Sequence, residues 1–99
     1  ESMGTLPLDF GLAQNAPNPF NTGTAIDFWL PAAGEADLAI YNFLGQRVAL
    51  LASGHQSAGR SEVVWNGLGL GKRPLAAGVY FYRLCYADRT VVRKLVLLH

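Results

Sequence analysis

Thr24-Ala25-Ile26-Asp27-Phe28-Trp29-Leu30 alternates with a period of two: Ile26, Phe28 and Leu30 share one face, Asp27 and Trp29 the other. A strand with one side on a core and one side toward water reads this way, and Pro31 and Gly34 end it. Glu35 to Tyr41 alternates again, with Leu38 and Ile40 on one side. Asn42-Phe43-Leu44-Gly45 then supplies turn chemistry before the chain returns over Gln46 to Leu51, which predicts a hairpin. The stretch Ala32-Ala33-Gly34-Glu35-Ala36 has some helix propensity, but Gly34 and the alternation on both sides outweigh it.

Working outward, Leu8 to Ala13 is read as an edge strand and Ser61-Glu62-Val63-Val64-Trp65 as a further strand stopped by Asn66-Gly67. Gly69, Gly71 and Pro74 mark a long loop. Val79-Tyr80-Phe81-Tyr82-Arg83-Leu84 and Thr90 to Leu98 form the last pair, joined by a short turn at Ala87-Asp88-Arg89. About seven short strands, bounded by Gly, Pro or Asn, predict an all-β immunoglobulin-like antiparallel sandwich.

The chain has 99 residues, enough for one domain with one core. Its apolar fraction of 51% and charged fraction of 15% describe a globular sequence. Eight Lys and Arg against seven Asp and Glu leave a net charge of +1, which offers no field to attract nucleic acid or an anionic membrane. The single Cys85 excludes an internal disulfide and a cysteine-based zinc cluster, and His55 and His99 are too few to complete a metal site. No cofactor is expected. No apolar run is long enough for a membrane helix, so no membrane insertion is expected. The chain opens Glu1-Ser2-Met3-Gly4-Thr5 without an initiator Met, as a piece of a longer protein would.

Few constellations suggest chemistry. Gly67-Leu68-Gly69-Leu70-Gly71-Lys72 is glycine-rich, but Asn66 and Arg73 stand where a P-loop needs Gly and Ser or Thr. Lys72 stands where a dinucleotide fingerprint needs Gly, so the stretch is read as an inter-strand loop. Gly54-His55-Gln56-Ser57-Ala58-Gly59 misses the nucleophile-elbow spacing by one place and is read as a solvated loop. Asp27, Glu35, Asp37 and Glu62 sit beside strand alternation as solvent-facing residues do, and no acid–base constellation supports them; no catalysis is expected. Cys85, at a strand end, reads as a small hydrophobe.

The aromatic residues carry more information. Trp29 lies on the polar face of its strand, where it could stack on a sugar or dock a partner; the expectation is that a neighbouring loop or the N-terminal segment covers it. Tyr80 and Tyr82 share a face with Leu84, and Trp65 with Val63, which core packing explains as well as ligand stacking does. The closing Arg93-Lys94-Leu95-Val96-Leu97-Leu98-His99 puts two cations before an apolar run whose two faces are both covered, or of which one awaits a partner.

Several segments in order resemble the C-terminal sorting domains of the type IX secretion system found in Bacteroidota and relatives. The likeness begins at Leu12-Ala13-Gln14-Asn15-Ala16-Pro17-Asn18-Pro19-Phe20-Asn21 and runs through Ile26, Leu30-Pro31, Ile40-Tyr41-Asn42 and Leu44-Gly45-Gln46-Arg47-Val48. It continues over Gly59, Val64-Trp65-Asn66-Gly67 and Leu75 to Leu84, and ends at Arg93-Lys94-Leu95-Val96-Leu97-Leu98. Residues 12–99 would then be the sorting domain, and residues 1–11 linker, residues foreign to the natural chain, or the start of an edge strand. The Ig-like part of the flagellar hook-capping protein shares much of the central pattern, and the placement of the tail favours the sorting domain. The chain departs at Leu68-Gly69-Leu70, where many relatives carry acidic or small polar residues.

The resemblance implies a non-catalytic domain that carries a fused N-terminal cargo through the periplasm to the cell surface or medium, with the secretion machinery and surface components as partners. The positions that match are Pro17, Asn18, Pro19 and Phe20, then Gly78 and Tyr80, then Lys94, Leu95, Val96, Leu97 and Leu98. An edge strand ending in Leu95 to Leu98 would offer backbone groups and apolar side chains to a receptor by strand addition. A carbohydrate-binding module using Trp29 or the Tyr80 and Tyr82 pair, and an Ig-like spacer, are the competing readings.

Overall fold

The computed structural model describes residues 10–98. Every regular element in it except a single 3-10 turn is a strand: β1 (Gly11–Leu12), β2 (Thr24–Leu30), β3 (Gly34–Tyr41), β4 (Arg47–Ala52), β5 (His55–Gln56), β6 (Gly59–Trp65), β7 (Gly78–Tyr86) and β8 (Arg89–Leu97). The turn, Leu70–Lys72, lies in the long glycine-rich loop. No helix of the described residues is long and apolar enough to cross a membrane.

The strands form two antiparallel sheets. The smaller has the order β1-β2-β6; the larger has the order β4-β3-β7-β8, with β5 on the first two residues of β3. The predicted all-β, immunoglobulin-like sandwich is the observed architecture, with eight strands in place of about seven. The added strand is β5, in the stretch read as a solvated loop. Register shifts between Leu38 and Ala39 and between Ile40 and Tyr41 irregularise the β3–β4 ladder, and once β4 has ended, His55–Gln56 pair with the start of β3. The edge strand expected over Leu8 to Ala13 is two residues long, and Ala13 extends it by one hydrogen bond to Asp27 O. Leu8 and Asp9 lie outside the described residues.

The alternation of β2 decides how the sheets stack. Ile26, Phe28 and Leu30 are fully buried while Asp27 and Trp29 stay partly exposed. Leu12 and Trp65 join them from the smaller sheet; Leu38, Ile40, Ala49, Tyr80, Tyr82, Leu84, Leu95 and Leu97 face them from the larger. Each buried Leu, Ile or Phe contributes about 1.5–3 kcal/mol through apolar area removed from water, so β2 alone anchors three such contributions. Phe10 already belongs to this unit, since its ring stacks on Tyr86 with centroids 5.7 Å apart.

Candidate functional site

Residues 13–20 leave the edge of the smaller sheet and cross to the edge of the larger. Ala16 and Ala25 exchange backbone hydrogen bonds at 2.9 and 3.0 Å, so the segment first runs beside β2. Both X–Pro bonds, Ala16–Pro17 and Asn18–Pro19, are cis. Phe20 then forms a parallel bridge to Leu97: Phe20 N donates to Val96 O at 3.1 Å and Leu98 N donates to Phe20 O at 2.7 Å. The Asn18 side chain accepts from Val96 N at 2.9 Å, and Gln14 Nε2 donates to Lys94 O at 2.8 Å.

A buried polar cluster holds the crossing in place. Asn15, only 3% exposed, donates its backbone N–H to Tyr82 Oη and its Nδ2 to Thr24 Oγ1 and Pro17 O. Tyr82 Oη donates in turn to Ala13 O at 2.7 Å, and Thr24 Oγ1 to Pro17 O at 2.8 Å. Each buried polar group here has a partner, which keeps the cost of burying it low. Burial pushes the Tyr82 phenol above its ordinary range, against smaller opposing effects of the Asn15 N–H and the Arg93 charge. Burial likewise raises Tyr80.

The positions singled out by the sequence fall into two groups within this junction. Phe20, Tyr80, Leu95 and Leu97 are buried. The Phe20 ring meets Trp65 at 5.6 Å between centroids, Trp65 meets Tyr80 edge-on at 6.0 Å, and Tyr80 Oη donates to Ala76 O. Gly78 opens β7 with φ +152°, a backbone conformation that favours glycine. Pro17, Asn18, Pro19, Lys94 and Leu98 are exposed and Val96 is half-buried, so together they form a ridge along this edge.

Two expectations are corrected. The β8 edge from Lys94 to Leu98 is not free for strand addition, because Gln14, Asn18 and Phe20 of the same chain occupy its backbone groups. Tyr80 and Tyr82 are no sugar platform, because Tyr82 is fully buried and Tyr80 nearly so. Trp29 stays partly exposed, with Gly11 of β1 packed against its ring. Gly11 lies so close that an added Cβ would fall 2.2 Å from its ring, and the Arg60 guanidinium sits 5.3 Å from the ring centroid.

Sequence reading missed Gln14, Asn15 and Thr24 as the residues that hold the crossing, since Gln14 is exposed like any surface residue and a lone polar residue at an inward position, as Asn15 and Thr24 are, leaves no periodic signal. Of the carboxylates weighed for catalysis, Asp27 pairs with Arg60 at 3.0 Å and Asp37 accepts from Ser53 Oγ at 3.0 Å. Cys85 is half-buried, with Thr90 Oγ1 at 3.7 Å from its sulfur.

No curated protein matches the sequence. Among solved structures, the fold is similar to dimeric latent PorU from Porphyromonas gingivalis, with TM-score 0.65, 15% identity and 92% of this chain covered. It is also similar to PorZ from Porphyromonas gingivalis, described as an essential bacterial surface component of the type IX secretion system, with TM-score 0.54, 20% identity and 91% of this chain covered. The chain spans 10% and 11% of the length of those proteins. The sequence model of the FlgD Ig-like domain matches residues 15–89, from the buried Asn15 to the start of β8, and the chain belongs to that family.

Proposed function

We propose that residues 12–99 are a non-catalytic sorting domain that directs a fused N-terminal cargo through the type IX secretion system and retains it at the cell surface, with residues 1–11 as the linker from the cargo and the start of the edge strand. The observation that carries this reading is the meeting of the two motif halves. Pro17 to Phe20 and Lys94 to Leu98 lie at opposite ends of the sequence, yet they are hydrogen-bonded into one ridge. A receptor reading that ridge would test in one contact that both ends of the domain are folded. The likeness to PorZ, a component of that secretion system, supports the setting. The burial of both tyrosines and the contacts of Gly11 and Arg60 on the Trp29 ring count against sugar stacking.

The burial of Leu95 and Leu97 also decides how to test the proposal, since deleting residues 93–99 would open the core. Residues 6–99 are fused to a periplasm-exported fluorescent reporter in a host with a working type IX system. The wild-type fusion is compared with Lys94→Glu/Leu98→Ser, which alters exposed side chains of the ridge and leaves the core intact. The expected result is reporter at the surface or in the medium for the wild type, and in the periplasm for the variant and in a secretion-deficient host. Periplasmic retention of a folded wild-type fusion overturns the reading. Unchanged secretion of the variant removes the ridge from it.

A further inference from the structure

The outer face of the larger sheet bears a surface that the sorting reading uses at Lys94 alone. The strand registers set its side chains in rows. Arg47, Tyr41, Phe81 and Lys94 stand side by side across β4, β3, β7 and β8, and the next row holds Leu50, Ala39, Arg83 and Val92. Phe43 at the tip of the β3–β4 turn is 78% exposed and Val92 is 52% exposed. Tyr41, Phe43, Phe81, Arg83 and Val92 line a shallow depression of about 320 Å³.

Two guanidinium groups converge on the Tyr41 ring, Arg83 from within this depression and Arg47 from beside it. Arg83 lies 4.6 Å from the ring centroid and donates to Tyr41 Oη at 2.6 Å; Arg47 lies 5.9 Å from it, with a longer contact of 3.4 Å. Cation–π contact and a short hydrogen bond orient Arg83, longer contacts of the same kind hold the exposed Arg47 near it, and neither group's charge is neutralised. Among the described residues the ion pair present is Arg60 with Asp27, on the other sheet. The acidic residues of this face, Glu35 and Asp37, lie toward the opposite end of β3, and Asp37 reaches Arg47 through its field without an ion-pair contact.

We propose that this face binds an extended acidic segment of a partner protein, which seats apolar side chains in the depression and a carboxylate across Arg47 and Arg83. Charge complementarity selects the acid, because two converging guanidinium groups are a natural receptor for the two oxygens of a carboxylate. The apolar neighbours select a peptide. Val92, Leu50 and Phe43 match aliphatic and aromatic side chains, whereas both Tyr41 contacts cover the ring that a sugar would need for stacking. Tyr, Phe and Arg gathered around one depression is also a composition enriched at protein interfaces, with Tyr and Arg among the residues that dominate their binding energy.

The test selects a phage-displayed random dodecapeptide library on the 99-residue chain and on the Arg83→Gln and Arg47→Gln variants, each confirmed folded by near-ultraviolet circular dichroism. The consensus peptide is then labelled and titrated by fluorescence anisotropy, and its site is mapped by amide chemical shifts. The expected consensus carries Asp or Glu beside apolar residues, binds each variant about tenfold more weakly, and shifts Phe81, Arg83 and Val92. The proposal is overturned by a consensus without carboxylates, by no enrichment, by affinity for both variants equal to that for the wild type, or by shifts confined to other surfaces. Tighter binding of polygalacturonate at the same residues, or self-association of the chain that the Arg variants abolish, overturns it as well.

Discussion

Asn18 and Val96 are joined across the edge of the larger sheet: the Asn18 side-chain oxygen accepts the Val96 N–H at 2.9 Å, in place of the neighbouring strand that an edge residue lacks. Asn18→Ala removes one hydrogen bond at an exposed position, so the expected loss of stability is modest, about 0.5–1.5 kcal/mol. The effect is local. Amide hydrogen exchange should accelerate at Val96 and Leu98, while the amides of Tyr82 and Leu84 in the centre of the sheet keep their protection.

Phe20 carries the apolar part of the same junction. Its ring is buried against Trp65 and Leu97, and a Cβ added at Gly67 would already touch the Leu97 side chain at 3.2 Å, so little room exists for relaxation. Phe20→Ala should cost about 3–5 kcal/mol in denaturant unfolding, with transfer and cavity contributions together. Phe20→Leu should recover more than half of the loss.

Tyr82 links the crossing segment to the core. Removal of its hydroxyl in Tyr82→Phe leaves the Asn15 N–H and the Ala13 carbonyl without that partner, for an expected loss of about 1–3 kcal/mol at neutral pH. The pH dependence follows from the raised phenol. The folded state holds the proton more tightly than the unfolded chain, so the stabilisation is complete below the ordinary tyrosine value of 10.0 and is lost as pH rises through the folded value. Unfolding curves of the wild type above pH 10 should therefore fall more steeply with pH than those of Tyr82→Phe.

Gly11 and Trp29 form a testable pair. Gly11→Ala drives a methyl group into the indole, and overpacking of this kind costs about 1–3 kcal/mol. In a Trp29→Ala background the same substitution should cost little, because the obstructing ring is gone. Strong non-additivity in the double-mutant cycle checks the contact; equal costs in both backgrounds would show that β1 does not lie over Trp29.

Much of this architecture is legible in the sequence because the two-residue period is a direct consequence of strand geometry. The face assignment of Ile26, Phe28 and Leu30 against Asp27 and Trp29 matches their burial. Period two also sets Leu95 and Leu97 on one face, but in a run of four apolar residues only the fold shows that this is the buried one. What periodicity does not encode is the partner of a strand edge. Val96 and Leu98 have the pattern of an open edge strand, and only the fold brings Asn18 and Phe20 to it from the other end of the chain. Strand β5 escapes for a related reason, since two residues are too few to show a period and His55–Gln56 pair only because β4 has left β3. The Arg47, Tyr41 and Arg83 cluster draws on three strands, with Arg47 and Arg83 far apart in the chain, so no local motif announces it.

The parallel sense of the Phe20–Leu97 bridge bears on how the domain responds to force. A pull that separates the chain before Phe20 from the chain after Leu97 acts along both segments in opposite directions. The hydrogen bonds of Phe20 with Val96 and Leu98, and of Asn18 with Val96, are then sheared together and do not open one after another. Tension applied between a preceding domain and the end of β8 would reach this junction after the pairing of β1 and Ala16 with β2, and would load its bonds in concert, making the crossing segment a mechanical clamp within the sandwich.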